Sequence, residues 1–153
     1  MKRIYVTLLS IAVVSVFAVA AAQAGRPAAK TSRATKIAVR KTSIGTILVS
    51  SSGRTLYEFT KDRLRSNSCV KIKECSAIWP SLTTRGKPTA GPGVKASLLS
   101  TITLRGGVKQ VTYAGHPLYL YTGDSGPGET GYVGEKEFGG LWYAINAAGH
   151  AVK

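Results

Sequence analysis

The ten residues Gly53-Arg-Thr-Leu-Tyr-Glu-Phe-Thr-Lys-Asp62 return 62 positions later as Gly115-His-Pro-Leu-Tyr-Leu-Tyr-Thr-Gly-Asp124. Gly, Leu, Tyr, Thr and Asp stand in register, and Phe59 is exchanged for Tyr121. A tryptophan follows each copy at nearly the same distance: Trp79 lies 17 residues after Asp62, and Trp142 lies 18 after Asp124. Duplication of a short unit describes how a fold closes and says little about its chemistry.

The apolar pattern around these copies has period two, with turn signals between the runs. Residues 44–50 and 54–60 flank Ser51-Ser52-Gly53 and read as a hairpin. Residues 101–105 and 108–113 flank Gly106-Gly107 in the same way, and Ala114-Gly115 turns the chain back into 117–122. Residues 141–146 and the end of the chain around Gly149 read as a closing hairpin. The helical signal is a single turn from Cys75 to Trp79, stopped by Pro80. The expectation is an all-β fold, one domain over 43–153, with a first repeat at about 43–84 and a second at about 98–147.

Strand alternation sets Tyr57 and Phe59 on one face, pointing inward, and Arg54 and Glu58 on the other. In the second copy Tyr119 and Tyr121 share a face while Leu118 and Leu120 line the opposite one. A strand covered on both sides has this pattern, and the segment is the candidate for the centre of the sheet. Asp62 and Asp124 stand where each strand gives way to a loop. An Asp there accepts hydrogen bonds from backbone N–H groups of the following turn and pins the strand exit. The functional alternative brings the two carboxylates together as a cation or catalytic site.

Residues 1–24 begin with Lys2-Arg3, run apolar from Ile4 to Ala22, and end in Ala22-Gln23-Ala24, the form of a cleaved secretory signal rather than a membrane span. Residues 25–42 carry six basic side chains and no acid, which reads as a flexible basic tail. The functional version of that tail is an electrostatic tether to anionic cell-wall polymer or lipid headgroups. The net charge is +14, and residues 43–153 hold 13 basic against seven acidic residues. They lack the aromatic-interleaved basic stripe of a nucleic-acid reader, so no nucleic-acid partner is expected. In an oxidising compartment Cys69 and Cys75, the only cysteines, are expected to form a disulfide closing a small loop.

Tyr57-x-Phe59-x-x-Asp62 and Tyr119-x-Tyr121-x-x-Asp124, together with Cys75-x-x-x-Trp79-Pro80, the stretch Gln110 to Tyr119, and Gly140-Leu-Trp142-Tyr143, resemble the bacterial secreted-repeat proteins often labelled predicted lipoproteins. The likeness covers roughly 43–147, and it implies a secreted protein of a family without an established function. Three departures stand out: the closer cysteine pair of the family is stretched to C-x5-C, a frequent second proline after Trp-Pro is Ser81, and a lipid-attachment cysteine is missing.

Other chemistries are weaker. Gly123-Asp-Ser-Gly126 looks like a serine-protease nucleophile motif, but a body this size holds half of such an enzyme. The loop from Gly123 to Gly140, with Asp124, Glu129, Glu135 and Glu137, matches no spaced calcium motif. His116 and His150 form no ligand cluster. The aromatics read as core, with the alternative that Trp79, Trp142 and Tyr143 line a ligand groove. No catalytic residue, metal ligand or cofactor is assigned. The expectation is an exported cell-envelope protein, a non-catalytic binding or structural β module. The rival is an envelope enzyme or metal-dependent protein using the paired aspartates.

Overall fold

The computed structural model describes residues 34–153. The expected signal and the first part of the basic tail lie outside the described residues. No helix among the described residues is long and apolar enough to cross a membrane. The fold is all-β: the described residues form eleven short strands, one four-residue helix and three 3-10 turns.

Strands β1 (Lys36–Thr42) and β2 (Gly45–Ser50) pair antiparallel from Ile37↔Ser50 to Thr42↔Gly45, and β5 (Thr89–Ala90) joins β1 in parallel. The last seven residues of the segment expected to be flexible are thus a strand. Counting cations overlooks Ile37, which is fully buried, while Lys36, Arg40 and Lys41 stay exposed. One inward β-branched residue suffices for pairing when the partner strand supplies Ile47, Leu48 and Val49, all buried.

The hairpins expected at 101–113 and at the C-terminal end form, whereas the return strand expected over 117–122 is reduced to the two residues His116 and Pro117. Strand β6 (Leu99–Thr103) pairs with β7 (Lys109–Tyr113), which also pairs with β4 (Thr83–Thr84) and with β8 (His116–Pro117). Strand β10 (Gly140–Ile145) pairs with β11 (Ala151–Val152) and with β9 (Lys136–Glu137). The first expected hairpin is cut short. Its turn closes through Gly53 N–H to the Ser50 carbonyl at 2.9 Å, yet beyond it only the bridge Val49↔Thr55 remains. The next residues, β3 (Tyr57–Phe59), pair instead with β10, setting Phe59 opposite Trp142.

The chain from Leu118 to Thr122 is hydrogen-bonded along both edges. On one side Tyr57 and Tyr119 exchange backbone bonds of 3.0 and 2.9 Å; on the other Leu82 N–H reaches the Leu118 carbonyl, and Leu120 and Thr122 donate to Pro80 and Ile78. The two duplicated motifs therefore lie side by side. Each is bordered on its outer edge by the tryptophan segment of the opposite repeat, β10 beside the first and 78–82 beside the second. Both glycines that lead into the motifs, Gly53 and Gly115, have left-handed φ of 82° and 87°, a turn conformation that side chains resist. Leu118 packs into one core with Leu56, Ile37 and Val111, while Tyr119 belongs to a second core with Tyr57 and both tryptophans. That segment is covered on both faces, as its alternation indicates.

The disulfide Cys69–Cys75 forms and both cysteines are fully buried. It closes a loop holding a 3-10 turn (Cys69–Lys71), and helix α1 (Cys75–Ile78) starts at its second cysteine and ends immediately before Trp79 and Pro80. Reduction is expected to cost about 2 kcal/mol for so small a loop. Thermal unfolding with and without reductant measures it, and an unchanged midpoint would mean that the carboxylate of Asp62 and the side-chain carbonyl of Asn67, which accept the N–H groups of Ser68 and Val70 at 2.6 and 2.9 Å, hold the loop unaided.

Candidate functional site

Placing the motifs side by side brings their aromatic residues into one stack. Trp79 and Trp142 lie face to face, with centroids 3.7 Å apart and planes at 4°. Phe59 of the first repeat stacks on Trp142 of the second at 4.1 Å, and Tyr121 of the second stacks on Trp79 of the first at 4.5 Å. Tyr57 meets Trp79 edge-on at 5.2 Å, and Tyr119 meets Trp142 in the same way at 5.2 Å. The arrangement is reciprocal: neither repeat stacks its second aromatic on its own tryptophan.

The phenols follow the same rule. Tyr119 Oη donates to Asp62 Oδ2 at 2.6 Å, and Tyr57 Oη donates to Asp124 Oδ1 at 3.2 Å. Each motif tyrosine thus holds the motif aspartate of the other repeat. Asp62 also accepts the Ser68 N–H at 2.6 Å, which is the turn-pinning role its position indicates. Burial raises the Asp62 carboxyl, opposed by the hydrogen bonds from Tyr119 and Ser68. Asp124 is pushed up to about 6 by burial, against the lowering effects of Tyr57 and the Arg54 charge. Both tyrosines are raised by burial and by the adjacent carboxylate.

The reciprocity breaks at its rim. Trp79 Nε1 donates to Glu137 Oε2 at 2.8 Å, whereas buried Trp142 Nε1 has no partner among the described residues. Glu74, which precedes Trp79 by the spacing that separates Glu137 from Trp142, is exposed and faces Lys73. Asp124 Oδ2 and Arg54 Nε are likewise buried and bare. An Arg54 terminal nitrogen donates to the Tyr121 carbonyl.

Sequence alternation assigns Glu58 to the outer face, but it is only 7 % exposed. The face opposite the ring stack is covered by the turn into β8, and His116 Nδ1 lies 3.2 Å from Glu58 Oε2. Burial raises the Glu58 carboxyl to about 7 and lowers His116, with the Asp62 charge opposing the latter. This pair was invisible in the spacing, since it depends on which strand covers the outer face of β3. A glutamate set between the two motif aromatics Tyr57 and Phe59 was the available signal.

A groove around Trp79 and Trp142 does not form: both rings are fully buried, because each covers the other. Tyr143 lies on the opposite side of β10 and is half-buried, with the Lys153 ammonium 5.9 Å from its ring. In the glycine-rich loop, Glu129 accepts both the backbone N–H and the hydroxyl of Ser125, at 2.8 and 2.6 Å. Among the described residues no group of three His, Cys, Asp or Glu side chains is placed to hold a metal ion.

The model of a family described as a secreted repeat of unknown function matches residues 100–146, the stretch containing Tyr119, Tyr121, Asp124 and Trp142. No curated protein and no solved structure matches the chain.

Proposed function

We propose that the chain is an exported cell-envelope protein, on the periplasmic or cell-wall side, whose two-repeat β domain serves as a non-catalytic binding or structural module. One observation carries this reading: the six motif side chains, Tyr57, Phe59, Asp62, Tyr119, Tyr121 and Asp124, engage one another and the tryptophans across the repeat boundary. Groups committed to internal contacts in this way are the closure of a fold, and each motif carboxylate accepts the phenol of the other repeat. The rival reading, an enzyme or metal-dependent protein using both aspartates, needs two carboxylates turned to a shared ligand. Here each is turned to the tyrosine of the other repeat.

Thermal unfolding of Asp62→Asn and Asp124→Asn tests the proposal. Asp62→Asn is expected to lose about 1–2 kcal/mol, several degrees in midpoint, because the amide satisfies only one of two strong donors as well as the carboxylate does. Asp124→Asn is expected within about 1 kcal/mol of the parent, since it keeps an acceptor for Tyr57 and removes a buried charge with a bare oxygen. An Asp62→Asn midpoint equal to the parent, together with a divalent cation retained through dialysis by the parent and lost in both variants, would decide for the rival.

A further inference from the structure

Two hollows of about 610 and 760 Å³ adjoin along the sheet formed by β4, β7 and β6, and Thr83 and Val108 belong to the walls of both. Arg85 and Lys109 line the first; Arg65, Lys71 and Arg105 line the second. All five cations are exposed, and neither hollow is lined by an Asp or Glu. The acids lie elsewhere. From Cys75 to Gly123 the sequence contains no Asp or Glu at all, and this stretch supplies β4, β6, β7 and the turn at Arg105. Glu58, Asp62 and Asp124 are occupied in the contacts between repeats, and Glu129 and Glu137 in the glycine-rich loop; Glu74 and Glu135 are exposed and line neither hollow, Glu74 standing between the wall residues Lys71 and Ser76 in sequence and facing Lys73.

We propose that this continuous basic trough binds a linear polyanion, a polymer carrying carboxylate or phosphate groups at intervals along its length. The proposal rests on the binding-module reading above and names its ligand class. A trough lined by one sign of charge concentrates ions of the other sign and focuses the field along its axis. Three of the five cations are arginines, whose planar forks match either oxyanion with paired hydrogen bonds. Ser66, Ser81 and Thr83 also line the second hollow, and their hydroxyl groups are donors suited to an oxygen-rich polymer. No aromatic residue lines either hollow, so recognition by ring stacking on sugars is not built in and charge must supply the affinity. A bilayer, being flat, is met by projecting side chains, whereas these cations line concave walls.

The test is calorimetric titration of the full chain at low salt with two probes, polyphosphate and polygalacturonate. Saturable binding of either is expected, and the tighter of the two identifies the oxyanion. Arg85→Gln/Arg105→Gln should bind roughly 30-fold more weakly, from the loss of two cations beside an anionic surface. Lys41→Gln/Lys136→Gln, with the same change of charge on exposed strands outside the trough, should bind within about threefold of the parent. Equal losses in the two pairs would overturn the proposal, since they would mean attraction by net charge alone. Loss on substituting Arg26, Lys30 and Arg33 with the trough intact would overturn it in favour of the tail, and binding to anionic phospholipid vesicles without binding to either polymer would overturn it in favour of a membrane. The circular dichroism midpoints of both pairs, expected to match the parent, exclude misfolding as the cause. If neither probe binds while Asp62→Asn still destabilises, the trough fails and a purely structural module remains; if the dialysis result favours a metal, the module reading itself fails.

Discussion

Trp142→Ala is expected to lower the unfolding midpoint by roughly 10–20 °C, the consequence of losing about 3–5 kcal/mol when a large buried aromatic side chain is removed. The loss falls at the worst place in the fold. Trp142 is fully buried, stacks between Phe59 and Trp79, and receives the edge of Tyr119, so its removal takes contacts from both repeats. Domains of this size have a total stability of about 5–15 kcal/mol, and the variant stands near the limit of folding. Two milder changes keep the test informative if alanine does not fold. Trp142→Phe retains a ring between its neighbours and also deletes an indole N–H that has no partner among the described residues, so about 1–2 kcal/mol is expected. Trp79→Phe should cost more, because it also strands the Glu137 carboxylate that accepts the Trp79 indole bond. If the two phenylalanine variants unfold together, the asymmetry at the rim of the stack has no energetic content. If Trp142→Ala shifts the midpoint by only a few degrees, the stack is not what joins the repeats.

The domain is expected to be more stable at pH 5 than at pH 8, contrary to the usual behaviour of paired carboxylates. Glu58 is raised to about 7 by burial in the folded state, against an ordinary value near 4.5 in the unfolded chain. Between those values the folded state binds the extra proton, so stability falls as pH rises through the interval and levels off above about 7. Asp124, raised to about 6, acts in the same direction over a lower window, as does Asp62. His116 is lowered in the folded state and opposes them, but only below its ordinary value of about 6.5. Glu58→Gln isolates the main contributor. Its amide donates to the neutral His116 imidazole across the 3.2 Å now separating the two side chains, and it carries no charge to desolvate. At pH 8 the variant is expected to exceed the parent by on the order of 2 kcal/mol, and most of the slope between pH 5 and 7 should vanish. A parent stability that rises with pH over this range would show that Glu58 is better solvated than its burial indicates.

The sequence-level reading and the structure part company at identifiable residues. Hairpins that depend on neighbouring residues and on glycine turns were legible: β6 with β7, β7 with β8, and β10 with β11 all form where alternation and Gly106, Gly115 and Gly149 place them. The pairing of β3 was not. A run such as Arg54 to Thr60 has the same alternation whether its partner is the adjacent strand or one more than eighty residues away, and burial of Phe59 against Trp142 decides for the distant one. The strand at Lys36–Thr42 was hidden by its cations, because composition registers charge whereas pairing needs only that one face be apolar. Tyr57, Phe59, Asp62 and their second-repeat counterparts were recognisable as a motif from duplication alone. Their partners were not, since a repeated sequence is equally compatible with two self-contained units and with two that exchange contacts.

What the sequence by itself determined is therefore the local and the periodic: an all-β chain with two copies of one motif, a short disulfide loop, a single helical turn ended by proline, and a large excess of positive charge. These follow from steric preference, residue spacing and charge, none of which requires knowing what lies across the core. Tertiary structure alone decided that Tyr119 holds Asp62 and Tyr57 holds Asp124, that the two tryptophans cover each other rather than lining a groove, that Glu58 is buried beside His116, and that five cations from three separate segments border two adjoining hollows. Each of these depends on which surfaces meet when the chain closes. That outcome is set by the summed burial of both repeats at once, a quantity that no single segment carries.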